Sequence, residues 1–418
     1  MTDRRITLAG LLVSAGFLGA AVAAALLPES VRRGVWLPLH LALAGAAGTA
    51  VASVLPFFVA ALSVAQPMNR IVRGGAIGLV AGGAAAASLG MAAGIVPLAV
   101  IGGLGYLAGL AGVAVAAFWP LRAGRRSRRP LVVAAYGAAI AQVALGVGLV
   151  IAMLAGFPPV VEGWALLKPA HAWLNVFGFL SLVIAATLIH LAPTVAGTRI
   201  APRPSAMLAL AGLVAGAPLV ALGLALGDDR VARIGALAEL LGAITLMAHA
   251  LAIWHDRGTW TTDPGWHRLT SWSLLAAPAW FLVAVTLASG RILWFGAVPA
   301  AWSLAGIAAP LAVGWVVQVL IGAWSHLLPS IGPGDMAAHA DQRASLGRGA
   351  TGRVVALNLG VVLVTLGGSL AWTAGVVIGL IACAGAILTS LAIFLDAARA
   401  GRVAVASRLP QAPAASGG

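Results

Sequence analysis

Residues 171–194 read HAWLNVFGFLSLVIAATLIHLAPT. Between His171 and His190 there is no charged residue. At 1.5 Å per residue, the helical distance between these two imidazoles is roughly 28 Å. The hydrocarbon core of a bilayer is about 30 Å thick. The stretch therefore predicts a membrane-spanning helix with one imidazole near each face. Two histidines that far apart cannot share one metal ion.

The same pattern runs outward along the whole chain. Of the 418 residues, 61% are hydrophobic and 9% charged, and the mean hydropathy of +1.03 excludes an ordinary soluble domain. Twelve stretches are long and apolar enough to cross a bilayer. They lie near 6–27, 36–64, 75–96, 97–119, 131–155, 166–192, 205–227, 232–254, 269–290, 300–328, 352–372 and 374–396. They are spans 1–12 below. Spans 3 and 4 nearly touch at Pro97. The fold class expected is all-α and polytopic, with one transmembrane domain over 1–398. The Ala-, Ser- and Gly-rich segment 399–418 is expected to be a disordered cytoplasmic tail.

A net charge of +14 suggests nucleic acid until its distribution is examined. With the N-terminus inside and the spans alternating, 19 of the 25 Lys and Arg residues fall on inner segments. Arg32, Arg33, Lys168, Arg230, Arg233 and Arg291 fall on outer ones. This is the positive-inside bias of cytoplasmic-membrane proteins, and it places both termini in the cytoplasm. The basic charge is then a topology signal, and the partner it implies is a lipid bilayer, not nucleic acid. The basic loop from Arg122 to Arg129 suits anionic lipid. Arg4 and Arg5 before an apolar run also fit a signal peptide, but that run exceeds the 7–15 residues of a typical signal core. A retained first helix is the preferred reading. Cys383 is the single cysteine, so no disulfide forms within one chain. Small-residue patterns such as Gly105 to Gly109 permit close helix contacts.

Three spans share a signature. Span 2 carries SVLP at 53–56, span 6 ends in HLAPT at 190–194, and span 10 ends in HLLPS at 326–330. Pro56, Pro193 and Pro329 are 137 and 136 residues apart, and four spans occupy each interval. Three pseudo-repeats of four spans follow, at about 1–119, 120–254 and 255–398.

Five of the eight histidines fall inside spans. Ionisable groups there are costly and mark function by default, and neutral imidazole is a common ligand for haem iron, copper and zinc. Depth sorts them into two layers. The outer layer holds His40 and His171, with Asn175 one turn from His171. Glu239, the one acid well inside a span, lies at similar depth, as do Trp173 and Lys168. Two histidines from separate helices at one depth suit bis-histidine ligation of haem. Asn175 and Glu239 are candidates to orient the ligands, and Glu239 is equally able to pair with Lys168 or Arg233. The inner layer holds His190, His249 and His326, which as a trio suit a copper or zinc site with an open position. Helix-end imidazoles that contact headgroups or cap carbonyls are the alternative there. His267 and His339 are expected in solvated inner loops.

These residues carry a family resemblance. Twelve spans in three groups of four resemble the catalytic subunit of haem-copper oxidases. Residues 171–179 resemble the HxHLNxxGF element of a divergent branch of that superfamily. This branch includes NnrS-type proteins of nitric-oxide stress and actinobacterial copper-oxidase proteins that accompany copper nitrite reductases. LHLALAG at 39–45 and the two His-Leu-x-Pro helix ends look like further elements of the branch. The resemblance implies haem b or copper as cofactor. It implies electron transfer, or nitric-oxide or copper handling, near a nitrite reductase or other redox protein. The chain departs from true oxidases. Span 7 has no histidine, span 10 has one, and Trp173 stands where the relatives have a second histidine. Oxygen reduction and proton pumping are therefore not implied. A proton-coupled transporter and a cofactor-free structural subunit are the rival readings.

Overall fold

The computed structural model describes residues 3–123, 129–201, 203–298, 305–331 and 335–406. Among them are twelve helices long and apolar enough to cross a membrane. They are Arg5–Ala25, Trp36–Ser63, Arg70–Ala93, Val96–Arg122, Pro130–Leu154 and Trp164–Val195 (spans 1–6). Pro204–Leu226, Asp229–His255, Trp266–Phe295, Ala309–Ile331, Ala350–Ser369 and Thr373–Ala400 follow (spans 7–12). The described residues contain no strand.

Local chemistry sets the breaks. Span 3 starts where the Asn69 side chain accepts hydrogen bonds from the backbone N–H groups of Ile71 and Val72, both at 3.0 Å. Such capping satisfies donors that have no partner in the helix. Gly94 ends the span in the left-handed conformation at φ 74°, which glycine adopts without steric cost. Pro97 then lies in the first turn of span 4, where its missing N–H costs nothing. Asp228 caps span 8 as Asn69 caps span 3. The last helix continues to Ala406, past the boundary expected at 398. Residues 397–406 (AARAGRVAVA) are mostly good helix formers with no proline. The rest of the expected tail, 407–418, lies outside the described residues.

Three hairpins form the tightest pairs: spans 3 and 4, 7 and 8, and 11 and 12. Each is closed by a turn of two or three residues and seamed by glycine. A Cβ on Gly83 would strike the Tyr106 backbone, one on Gly235 the Val220 backbone, and one on Gly379 the Gly360 carbonyl. Small residues let backbones approach this closely, the main source of helix association where no water is expelled.

Spans 2, 6 and 10 are the innermost. Their most apolar windows are 83%, 72% and 72% buried, against at most 50% for any other span. Each carries a π-helical segment: Leu41–Ala47, Trp173–Ser181 and Ala309–Val317. The Trp315 indole donates to Ser181 Oγ at 3.1 Å, tying span 10 to span 6. The π segments of spans 6 and 10 start 136 residues apart, like their prolines. That of span 2 starts 132 residues before span 6's, five short of the proline interval. Pro56 is therefore more than a helical turn out of register with the other two prolines.

Candidate haem or metal centre

His40 sits in the first turns of span 2, immediately before the π segment. Its Nδ1 lies 2.8 Å from the Trp36 carbonyl one turn back, and the Trp36 ring stacks on it with centroids 4.0 Å apart. A carbonyl only accepts, so Nδ1 carries the proton and donates. Nε2 is then a bare lone pair, with no hydrogen-bond partner among the described residues.

His171 reaches the same state by another route. One residue, Ala172, separates it from the π segment of span 6. Its Nδ1 lies 2.7 Å from the Gly146 carbonyl of span 5. Asn175 Nδ2 is 2.9 Å from the same nitrogen and 2.6 Å from the His171 carbonyl. Two donors cannot meet head-on, so the Nδ1 proton goes to Gly146 and the Asn175 amide donates to the His171 carbonyl. Gly146 makes this possible, because a Cβ there would collide with the Asn175 amide. His171 Nε2 is left free as well. The two imidazoles lie within electrostatic reach of each other. Both are partly exposed. A metal-binding histidine characteristically gives its other ring N–H to a carbonyl or carboxylate, which fixes tautomer and orientation. Both rings meet that condition.

The remaining outer-layer candidates sit elsewhere. Glu239 is fully buried in the seam of spans 7 and 8, where Gly216 leaves room for its carboxyl. Neither carboxyl oxygen makes a well-formed hydrogen bond, although the Ala217 backbone lies alongside. Glu239 is not a hydrogen-bond partner of His40 or His171, nor does it pair with Arg233, which sits 3.8 Å from Asp229. Trp173 is a core residue, fully buried and packed on Phe177 at 4.4 Å.

The inner trio does not assemble. Among the described residues no three His, Cys, Asp or Glu side chains come together as a metal site. His190, His249 and His326 each face a different neighbour. His249 Nδ1 lies 3.2 Å from Ser205 Oγ at the start of span 7. His326 packs near Trp266 of span 9, with ring centroids 6.3 Å apart. His190 faces Arg129 ahead of span 5. Sequence gives depth along a helix and not the direction a side chain takes around it, which is why equal depth misled here. His267, expected in solvent, packs between Trp260 and Trp266 at 4.9 and 4.0 Å, and His339 Nε2 is buried without a hydrogen-bond partner.

Two small crevices lie at the other end of the bundle, between spans 6, 8 and 9. No protein-family model matches the chain and no curated protein matches it.

Proposed function

We propose that this chain is a membrane protein of the haem-copper-oxidase-like, NnrS-like superfamily that holds haem b or a copper ion between His40 and His171. Its role is electron transfer, or nitric-oxide or copper handling, beside a redox partner such as a nitrite reductase. One observation carries the reading. Two imidazoles on neighbouring inner spans each have Nδ1 tied to a backbone carbonyl and Nε2 free. When bound, such a centre supplies one-electron chemistry. The chain's own residues contribute ring orientation and a low-dielectric setting. Asn175 holds the His171 backbone and Trp36 backs the His40 ring.

Architecture supports the family assignment. Three tight hairpins and three innermost spans with π segments recur at four-span intervals, the pattern expected of three pseudo-repeats. Isolated π turns inside α-helices are frequent at functional sites, and two of the three begin within two residues of the candidate ligands. A porphyrin needs a flat apolar slot besides its ligands, whereas a single ion needs none, and imidazole suits copper as well as iron. The deciding experiment is a reduced-minus-oxidised visible spectrum of the purified protein, with metal analysis on the same sample.

Location in the cytoplasmic membrane with both termini inside rests on the 19-to-6 distribution of Lys and Arg. A reporter active only outside the cell, fused after Gly418, should stay silent. The same reporter inserted between Pro28 and Glu29, ahead of span 2, should be active. A strong signal from the C-terminal fusion would reverse the orientation and put His40 and His171 at the cytoplasmic face.

A further inference from the structure

Trp266 opens span 9, and three basic side chains gather round its ring. The centroid of the His267 ring lies 4.0 Å from that of Trp266, and the centroid of the His326 ring 6.3 Å. The Arg343 guanidinium carbon is 5.5 Å from the same ring. His326 comes from the last turns of span 10, and Arg343 from the helix Met336–Leu346 between spans 10 and 11. The two imidazoles and the guanidinium are within electrostatic reach of one another. None of the three makes a side-chain hydrogen bond or ion pair with a described residue, and His326 Nδ1 and Arg343 Nε are buried without a partner. Each residue as a whole is partly exposed. Asp263 faces His267 but forms no ion pair with it. Arginines nearby in sequence are engaged. Arg268 donates to the Thr262 carbonyl and to Thr351, Arg348 pairs with Asp396, and Arg353 donates to the Leu346 carbonyl.

A guanidinium has only donors, and each imidazole has a nitrogen able to donate. Gathering such groups without an acceptor is unfavourable, and an anion seated among them turns the interaction favourable. Position identifies the anion. Trp266 and His326 lie where spans 9 and 10 reach the bilayer boundary, and Trp260 and Trp272 flank Trp266 in sequence. Tryptophan concentrates at the level of lipid headgroups. We infer that Arg343, His326 and His267 bind the phosphate of one anionic phospholipid. Arg343 supplies the paired N–H contacts that fit a phosphate, the imidazoles supply further donors, and the Trp266 ring is the floor. A headgroup is bound from the surface, so no enclosed cavity is required. Basic clusters between spans suit such headgroups. The inference is independent of the reading of His40 and His171.

The test uses the full-length protein in non-ionic detergent micelles, titrated calorimetrically with dihexanoyl phosphatidylglycerol. Dihexanoyl phosphatidylcholine and inorganic phosphate are titrated separately. Phosphatidylglycerol should bind saturably and at least about tenfold more tightly than either of the others, the worth of one charge-assisted contact. Arg343→Gln should weaken its binding at least about tenfold on the same ground. His326→Ala should weaken it about fivefold, the worth of an ordinary hydrogen bond. Arg343 holds no other part of the chain through a hydrogen bond or ion pair, so its variant should fold. Arg348→Gln removes the same charge from the same end of the bundle but not from the cluster, and should stay within about twofold of wild type. No saturable binding of phosphatidylglycerol, or equal affinity in wild type and Arg343→Gln, would overturn the inference. Equal losses in Arg343→Gln and Arg348→Gln would reduce the cluster to a diffuse basic surface and overturn it too. Phosphatidylcholine or inorganic phosphate binding as tightly as phosphatidylglycerol would overturn the anionic-lipid assignment.

Discussion

Alanine at His40 or at His171 should each empty the centre. Wild-type protein expressed with ample haem and copper is expected to show either a haem b Soret band or about one copper per chain. Either single variant should lose that signal. Two ligands hold the group, and removing one leaves a single imidazole with no chelate partner. The expected loss of affinity is at least about 100-fold, since removing even an outer hydrogen-bond partner of a metal ligand typically costs 10–100-fold. Asn175→Ala, which releases the His171 carbonyl but not its imidazole, should fall in that smaller range. His249→Ala lies at the other end of the bundle and should leave the signal intact. A wild-type preparation with neither Soret band nor copper would favour the cofactor-free subunit. Loss of signal in the His249 variant alone would relocate the centre.

The second large effect belongs to the hairpin seams. At Gly102 in span 4, any Cβ would collide with the backbone of Ala86 and Ala87 in span 3. Backbone cannot swing aside as a side chain can, so Gly102→Val must part the two helices. Overpacking costs about 1–3 kcal/mol, and a clash with unyielding backbone falls at the upper end of that range. Gly78 in span 3 meets nothing within 4 Å on its Cβ side. Gly78→Val should therefore remain within about 0.5 kcal/mol of wild type. Chemical unfolding in mixed detergent micelles reads both. Equal stability of the two variants would show that the glycine seam does not hold the hairpin together.

The twelve spans were legible because the constraint behind them is strong. A lipid-embedded backbone must satisfy its own hydrogen bonds, so length and apolarity nearly determine where helices run. Even the doubtful break at Pro97 resolved by ordinary chemistry, with Gly94 ending one helix and the proline opening the next. The pairing of His171 with Asn175 was also legible, since residues four apart on a helix share a face. The partners of the Nδ1 atoms were not. The carbonyl of Gly146 lies on another span, and nothing in the sequence aims it at His171. The π segments left no compositional mark either, and only against them does Pro56 fall out of register with Pro193 and Pro329. Glu239 stood out as the lone intramembrane acid, but its place behind Gly216 depends on how spans 7 and 8 rotate against each other.

The three glycine seams also bear on how the chain is made. Each joins two consecutive spans through a turn of two or three residues, so both halves of a hairpin leave the ribosome within seconds of each other at 5–20 residues per second. Their contact is backbone on backbone and needs no other part of the molecule. Each pair can therefore close in the lipid as soon as it is inserted, as a finished stave. Spans 2, 6 and 10 have no such partner at synthesis. Span 2 packs mainly on its sequence neighbours, spans 1, 3 and 4, and meets spans 6 and 10 through its π segment. A centre that depends on His40 and His171 accordingly cannot form until span 6 has been inserted, after the first finished stave is already in the lipid.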